Sequence, residues 1–373
     1  MLGGWLLKND DSRLPFLDLL RALASQAIVW HHLAFYGPLS DSAREVAGVL
    51  IDGLAQHARL AVQVFFVVSG YLMAVGLRER EPTDFRQFRA LIAGRYRRIG
   101  LPYLGAMVLA ICANEVARHW MDHPSISARP SFGQLFAHVF LIHDLVHYEP
   151  LSAGIWYLAI DLQLSVLVGL VFWLSARVGG ARGPVWGRAV LVALGVSSVF
   201  WFNRQSQLEG VAIYFMGAYG LGLIAAWAQA GSVRRGVFWL YSLLVVVAIA
   251  IDFRSRLLVA LMTALLLAVG QHFGWLARWP RSRAIRSLAG ISYSLFLVHF
   301  PVSLVVNALW SSHVPATPWL SLCGMFMAYS LSMLVAVVFH YEVERRLVRL
   351  GRPTRARQAA PPLLDAEPTQ SDV

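Results

Sequence analysis

The stretch "LLRALASQAIVWHHLAF", residues 19–35, reads as a membrane helix with a fault in it. Leu, Ala, Ile, Val and Trp suit a bilayer core. Arg21 interrupts the run, and His31 and His32 follow near its far end. An arginine at mid-bilayer costs about 2.5–3.5 kcal/mol on insertion scales, so a chain that keeps one has a partner or a task for it. Asp18 stands three residues earlier and can pair with it on one helix face. Eleven helical residues turn through about 1100°, some 20° past three full turns, so Arg21 and His32 share a face about 16 Å apart along the axis. On the same arithmetic His31 lies about 80° away. The pattern predicts a polar stripe of carboxylate, guanidinium and imidazole lining an enclosed, hydrated cavity. The plainer alternative is a helix-packing ion pair with an interfacial histidine.

The whole chain fits such a helix. Its 373 residues are 57% hydrophobic and only 14% charged, with a mean hydropathy of +0.57; soluble domains average about 25% charged residues. Ten apolar runs are each long enough to cross a ~30 Å core: 14–36, 58–77, 99–117, 154–175, 187–203, 208–230, 236–252, 256–274, 287–310 and 317–340. No alternating ten-residue strands suggest a barrel. The fold class expected is therefore an all-α polytopic membrane protein of about ten transmembrane helices. With the amino terminus placed inside, cytoplasmic segments hold 24 basic residues and external ones 7, Arg21 completing the 32. That asymmetry predicts both termini in the cytoplasm. The net charge of +11 is then topological. No basic block interleaved with aromatics points to nucleic acid.

The expected organisation is a cytoplasmic segment 1–13, a transmembrane domain 14–345, and a cytoplasmic, disordered tail 346–373 rich in Pro, Ala and Arg. The first run lacks the order of a signal peptide and is expected to stay as a span. Residues 38–57 and 118–153 are expected as long external connections. The second holds "FGQLFAHVFLIHDLVHY", 132–148, suited to an interfacial or re-entrant helix. Cys112 and Cys323 lie in apolar runs and read as small hydrophobes.

Further polar groups fall inside or beside the spans. In "IWYLAIDLQLSVL", 155–167, Asp161 sits near the external end of its span, with Gln163 close by. A carboxylate there could hold the His32 tautomer and raise its basicity, or pack against another helix. "RYRRIGLPY", 95–103, places Arg95, Arg97 and Arg98 at a cytoplasmic mouth. They could anchor the membrane or bind a ligand with several phosphates. His143 and His147 have helical i, i+4 spacing, but no thiolate joins them, and no metal site is expected. His299 lies in "SYSLFLVHFP", 292–301, and Ser69 in "FFVVSGY", 65–71. Ser69 lacks a nucleophile elbow and reads, with Gly70, as a place of close helix approach.

Taken in order, these segments resemble the acyltransferase 3 family of bacterial membrane proteins. Arg21 and His32 match its R-x10-H motif. "VQVFFVVSGYLMA" resembles its FF-x-x-SG-[FY]-L segment, and Arg95 and Arg98 match R-x-x-R-I-x-x-P-Y. "AHVFLIHDL" is similar to H-x4-H-N, "IWYLAIDLQLSVL" to W-x-L-x-x-E-x-Q, and "ISYSLFLVHFP" to ISYSLYLWH-x-P. Asp161 stands where many members have Glu, and Leu19 and Ala22 replace glycines usual around the arginine. The span 4 segment also lacks the family's second acidic residue and following aromatic. The likeness runs from about 14 to 345 and is to the stand-alone members.

The resemblance implies a bacterial inner-membrane enzyme that moves an acyl group, usually acetyl, from cytoplasmic acyl-CoA to a hydroxyl of a surface or lipid-linked glycan such as exopolysaccharide or O-antigen. Acetyl-CoA would be a co-substrate, with no resident cofactor. Polysaccharide biosynthesis machinery would be a partner alongside the lipid bilayer. Arg21, Arg95 and Arg98 would hold the donor. His32 would act as general base or carry the acyl group briefly, and Asp161 would orient it. Asp18, His143, Gln163, Ser69 and His299 would support substrates or the site. The competing reading is an exporter of a polysaccharide or a small anionic solute, although the paired repeats common in transporters are not evident.

Overall fold

The computed structural model describes residues 14–77 and 81–350. Segment 1–13, residues 78–80 and the tail from 351 onward lie outside the described residues. Among those described there is no strand. The first helices are α1 (Pro15–Phe35), α2 (Pro38–His57), α3 (Val62–Leu77), α4 (Phe85–Trp120) and α5 (Phe132–Val139). Then come α6 (Trp156–Gly179), α7 (Gly183–Phe200), α8 (Ala212–Gln229), α9 (Arg235–Ile251) and α10 (Ser255–His272). The last are α11 (Trp275–Arg278), α12 (Arg283–His313), α13 (Pro318–Phe339) and α14 (Arg345–Leu350).

Local chemistry sets the helix ends. Proline opens α1, α2 and α13, where a missing N–H costs nothing. Asp84 caps α4 by accepting from Gln87 N at 2.7 Å, and Ser131 caps α5 by accepting from Gln134 N at 3.1 Å. Seven helical stretches among the described residues are long and apolar enough to cross a membrane. Two of them, Pro38–Leu77 and Trp156–Arg204, each contain a pair of helices, α2 with α3 and α6 with α7. α9 has 17 residues and falls short of that length. α1, interrupted by Arg21, is not among the seven either, so the expected count of ten spans is not shown. The chain is thus an all-helical, multi-pass membrane protein.

Three expectations need correction. Residues 38–57, expected only as a long connection, form helix α2, kinked at Ala47. The expected tail begins inside a helix, because α14 continues to Leu350. The run 99–117 is only the second half of α4, whose 36 residues extend about 54 Å.

Two groups of helices meet along a seam. α1, α2, α4, α12 and α13 form one, while α3, α6, α7, α9 and α10 surround α8 in the other. α8 is the central rod of its group, buried from Tyr214 through Ala228. α3 crosses it at backbone contact: a Cβ on Gly70 would stand 2.1 Å from Tyr219 O, and one on Gly222 1.9 Å from Val67 O. Small residues permit such an approach, and dispersion at short range replaces the hydrophobic effect that lipid cannot supply. α4 and α6 close the seam.

The closure fixes the relative depth of the arginines. Gly169 of α6 is tucked against Leu91 and Phe88 of α4, and Trp173 packs on Phe85 and Phe88. α6 therefore runs beside residues 85–98, the half of α4 that reads as a cytoplasmic loop. The segment after α4 folds back along it. Ser127 N donates to Asn114 Oδ1 at 2.8 Å, and Tyr96 OH donates to Val139 O at 2.5 Å. Those two contacts on α4 are about 27 Å apart. Residues 132–139 form the short helix α5, but its continuation turns, and Leu141 and His147 have φ of 56° and 58°.

Candidate active site

α1 and α12 run parallel and carry the centre of the site. Arg21 Nη2 donates to Ser292 Oγ at 3.2 Å. Seven residues further along α12, His299 meets His32. His32 Nδ1 and His299 Nε2 are 2.6 Å apart, and the two rings lie edge to edge in nearly one plane, with centroids 4.9 Å apart and 4° between the planes. Both imidazoles are buried, at 7% and 1% exposure. His299 Nδ1 faces Leu295 O at 2.9 Å. Gly154, with φ +82°, lies against this pair, where a Cβ would come within 3.2 Å of His32 Cε1. Arg21 and His32 thus share the face expected of them. Asp18 stays beside Arg21 at 4.0 Å.

Two more guanidiniums converge below the histidines. Arg95 forms a buried ion pair with Asp161, its Nη2 lying 2.8 Å from Oδ1 and 2.7 Å from Oδ2. The same nitrogen donates to Ser69 Oγ at 2.5 Å, and Ser69 in turn donates to Asp161. Arg98, one turn on, lies within the fields of Arg95, Arg21, Asp161 and Glu344. The ion pair joins α4 of one helix group to α6 of the other, and Ser69 brings in α3.

This arrangement overturns two expectations. Asp161 does not orient His32: its carboxylate is engaged by Arg95 and Ser69, and the His32 ring nitrogen faces His299. Arg95 is not at a surface mouth either. Pairing with Asp161 puts the two at one level inside the bundle, because α4 is helical well before residue 99.

The remaining expected residues have local duties. Gln163 accepts from Ala212 N at 3.0 Å and donates to Gly210 O at 3.3 Å, securing the start of α8. His143 stacks on His138 with centroids 4.2 Å apart, and its ring nitrogens are buried without hydrogen-bond partners among the described residues. The i, i+4 relation to His147 is lost because the backbone there is not helical. Burial pushes the His143 imidazole down to about 3 and the Asp144 carboxyl up to about 6. Among the described residues, no group of three or more His, Cys, Asp or Glu is placed to hold a metal ion. Two small cavities flank the folded-back segment, both touching Leu151 and neither lined by Arg21 or His32. On α1 the His32 ring is buried, while Arg21 and Asp18 keep 22% and 24% of their side-chain surface exposed.

One acidic residue escaped the sequence reading. Glu344 ends a π-helical turn, His340–Glu344, after α13. Its Oε2 accepts from Ser294 Oγ at 2.5 Å and lies 2.9 Å from His340 Nδ1. A His and Glu four residues apart, just beyond an apolar run, were the available signal.

Fold and site together define a multi-pass membrane protein with a buried histidine pair set above three arginines. The chain belongs to the acyltransferase 3 family: the family model described as an acyltransferase domain matches residues 14–340. It is similar to the peptidoglycan O-acetyltransferase OatA of Listeria monocytogenes serovar 1/2a, at 23% identity over 329 residues. That similarity covers 77% of this chain and 49% of the relative, so the chain spans about half the length of the curated relative it matches. No solved structure matches.

Proposed function

We propose that the protein transfers an acyl group, acetyl in the simplest case, from cytoplasmic acyl-CoA to a hydroxyl of a cell-surface or lipid-linked glycan. It does so as a ten-span protein of the bacterial inner membrane with both termini in the cytoplasm. Family membership supports acyl transfer, and the name of the relative supports a glycan acceptor. The observation that carries the reading is the common face of Arg21 and His32, each engaged by α12, with Arg98 near Arg21 and Arg95, held by Asp161, behind it. Guanidiniums recognise phosphates through paired hydrogen bonds. A donor held there by its phosphates would extend its thioester arm the ~16 Å towards His32.

The chemistry then balances without a further reagent. His32 takes the proton of the acceptor hydroxyl as the oxygen attacks the thioester carbonyl. The C–S bond breaks, the ester forms, and the imidazolium returns the proton to the departing thiolate. General base catalysis contributes about 10²–10⁴-fold, and positioning of two bound substrates supplies the rest. The test is mass spectrometry of surface glycan from cells carrying the wild-type protein or His32→Ala. Loss of acetylation with the variant still inserted in the membrane is expected. Normal acetylation would reject the assignment.

A further inference from the structure

The hydrogen bonds around His299 decide which nitrogen of His32 is free to accept a proton. The carbonyl of Leu295 can only accept, so His299 Nδ1, 2.9 Å away, carries a hydrogen. A neutral imidazole has one N–H, and His299 Nε2 is therefore a bare acceptor. Its neighbour at 2.6 Å, His32 Nδ1, must then be the donor. One consequence remains: His32 Nε2 holds a lone pair, and no hydrogen bond among the described residues engages it. We infer that His299 is a positioning residue that locks His32 in its Nδ1–H tautomer and leaves Nε2 as the nitrogen that accepts the substrate proton.

The geometry suits that role. The near-coplanar, edge-to-edge placement of the rings, 4° apart, points Nδ1–H straight at His299 Nε2, and burial of both rings keeps water from competing for Nδ1. When Nε2 gains its proton, the Nδ1–H bond to His299 becomes charge-assisted and strengthens. A carboxylate performs this service in the Ser-His-Asp triad. Here a neutral ring does so, anchored in turn to the backbone of α12, and the resting site carries no additional buried charge. Ser332 Oγ of α13, 3.4 Å from His299 O and 2.7 Å from Ala328 O, ties α13 to the same turn of α12.

Two substitutions separate positioning from packing. Glutamine can imitate both contacts, accepting from His32 Nδ1–H through its amide oxygen and donating to Leu295 O through its nitrogen. Leucine fills the space and does neither. The full chain, labelled with ¹⁵N-histidine in lipid nanodiscs, would be examined by long-range ¹H–¹⁵N correlation, with the His32 signals assigned by their loss in His32→Gln. The expected result is a protonated Nδ1 and a bare Nε2 in wild type and in His299→Gln, and the opposite tautomer in His299→Leu. The kinetic arm rests on the reading of function given above: membranes supplied with acetyl-CoA should show kcat reduced roughly 10²-fold or more in His299→Leu. KM should be unchanged, and His299→Gln should recover most of the rate. An Nε2–H tautomer in the wild type would overturn the inference, as would equal behaviour of the Gln and Leu variants. If the tautomers follow expectation but the wild type transfers no acetyl group, the assignment of the nitrogen stands and the acyltransferase mechanism falls.

Discussion

Gly222→Ala offers a steric test of the α3–α8 crossing and of its link to the charged site. The new methyl carbon would stand 1.9 Å from Val67 O and 2.7 Å from Tyr71 N, both backbone atoms of α3. Ordinary contact begins at 3.4 Å, so the helices must part by about 1.5 Å, at the ~1–3 kcal/mol cost typical of overpacking. Ser69 lies two residues beyond Val67 and bonds Arg95 at 2.5 Å. Withdrawal of α3 by that amount takes it out of hydrogen-bond range. A misplacement of ~1 Å at a catalytic centre can cost about 10²-fold in rate. Thermal unfolding in detergent, followed by size-exclusion chromatography, should show a lower midpoint, and base-labile acetate on surface glycan should fall by about that factor. Gly236→Ala, where no atom lies within 4 Å, should leave both unchanged. Wild-type stability and acetylation in Gly222→Ala would refute the tight crossing.

Asp161→Asn leaves Arg95 buried beside a neutral partner and should destabilise the fold by about 3–5 kcal/mol; the double variant Asp161→Leu/Arg95→Met should recover much of that loss in the same unfolding assay. Asp144→Asn should stabilise the protein at pH 8 by roughly 1–3 kcal/mol. The wild-type carboxyl, raised to about 6 by burial, favours folding in its protonated form. That contribution is complete below about pH 4 and is lost as pH rises through 6, so the gain from asparagine should vanish on acidification. Thermal midpoints across that range check it; a pH-independent difference would contradict it. Arg21→Lys keeps the charge but loses the planar fork, and should raise the KM for acetyl-CoA about tenfold, with a smaller change in kcat.

The helix positions were legible in one dimension because hydrocarbon demands long apolar runs. The shared face of Arg21 and His32 was equally legible, since helical rotation is simple arithmetic. Depth was harder to read. The run "FRQFRALIAGRYRRIG", 85–100, is rich in arginine and scores as a loop, yet Leu91 and Ile92 pack on the core while Arg95 meets an acid. Hydropathy assigns a cost to each charge singly and cannot register that a partner 66 residues away cancels it. Partner choice was hidden for the same reason. Asp161 was expected to meet His32 or to pack against another helix, and only packing reveals Arg95 as its partner. The i, i+4 spacing of His143 and His147 puts the two on one face only in a helix, whereas Leu141 and His147 take positive φ.

The pairing of α1 with α12 bears on biogenesis. Ser292 and His299 of α12 are translated some 270 residues after Arg21 and His32 of α1. Through most of synthesis the nascent chain holds an arginine and a histidine whose eventual neighbours do not yet exist. Insertion machinery or early-made helices must shelter them. A chain arrested before α12 would lack the partners of both Arg21 and His32, so the centre assembles only when that helix joins α1.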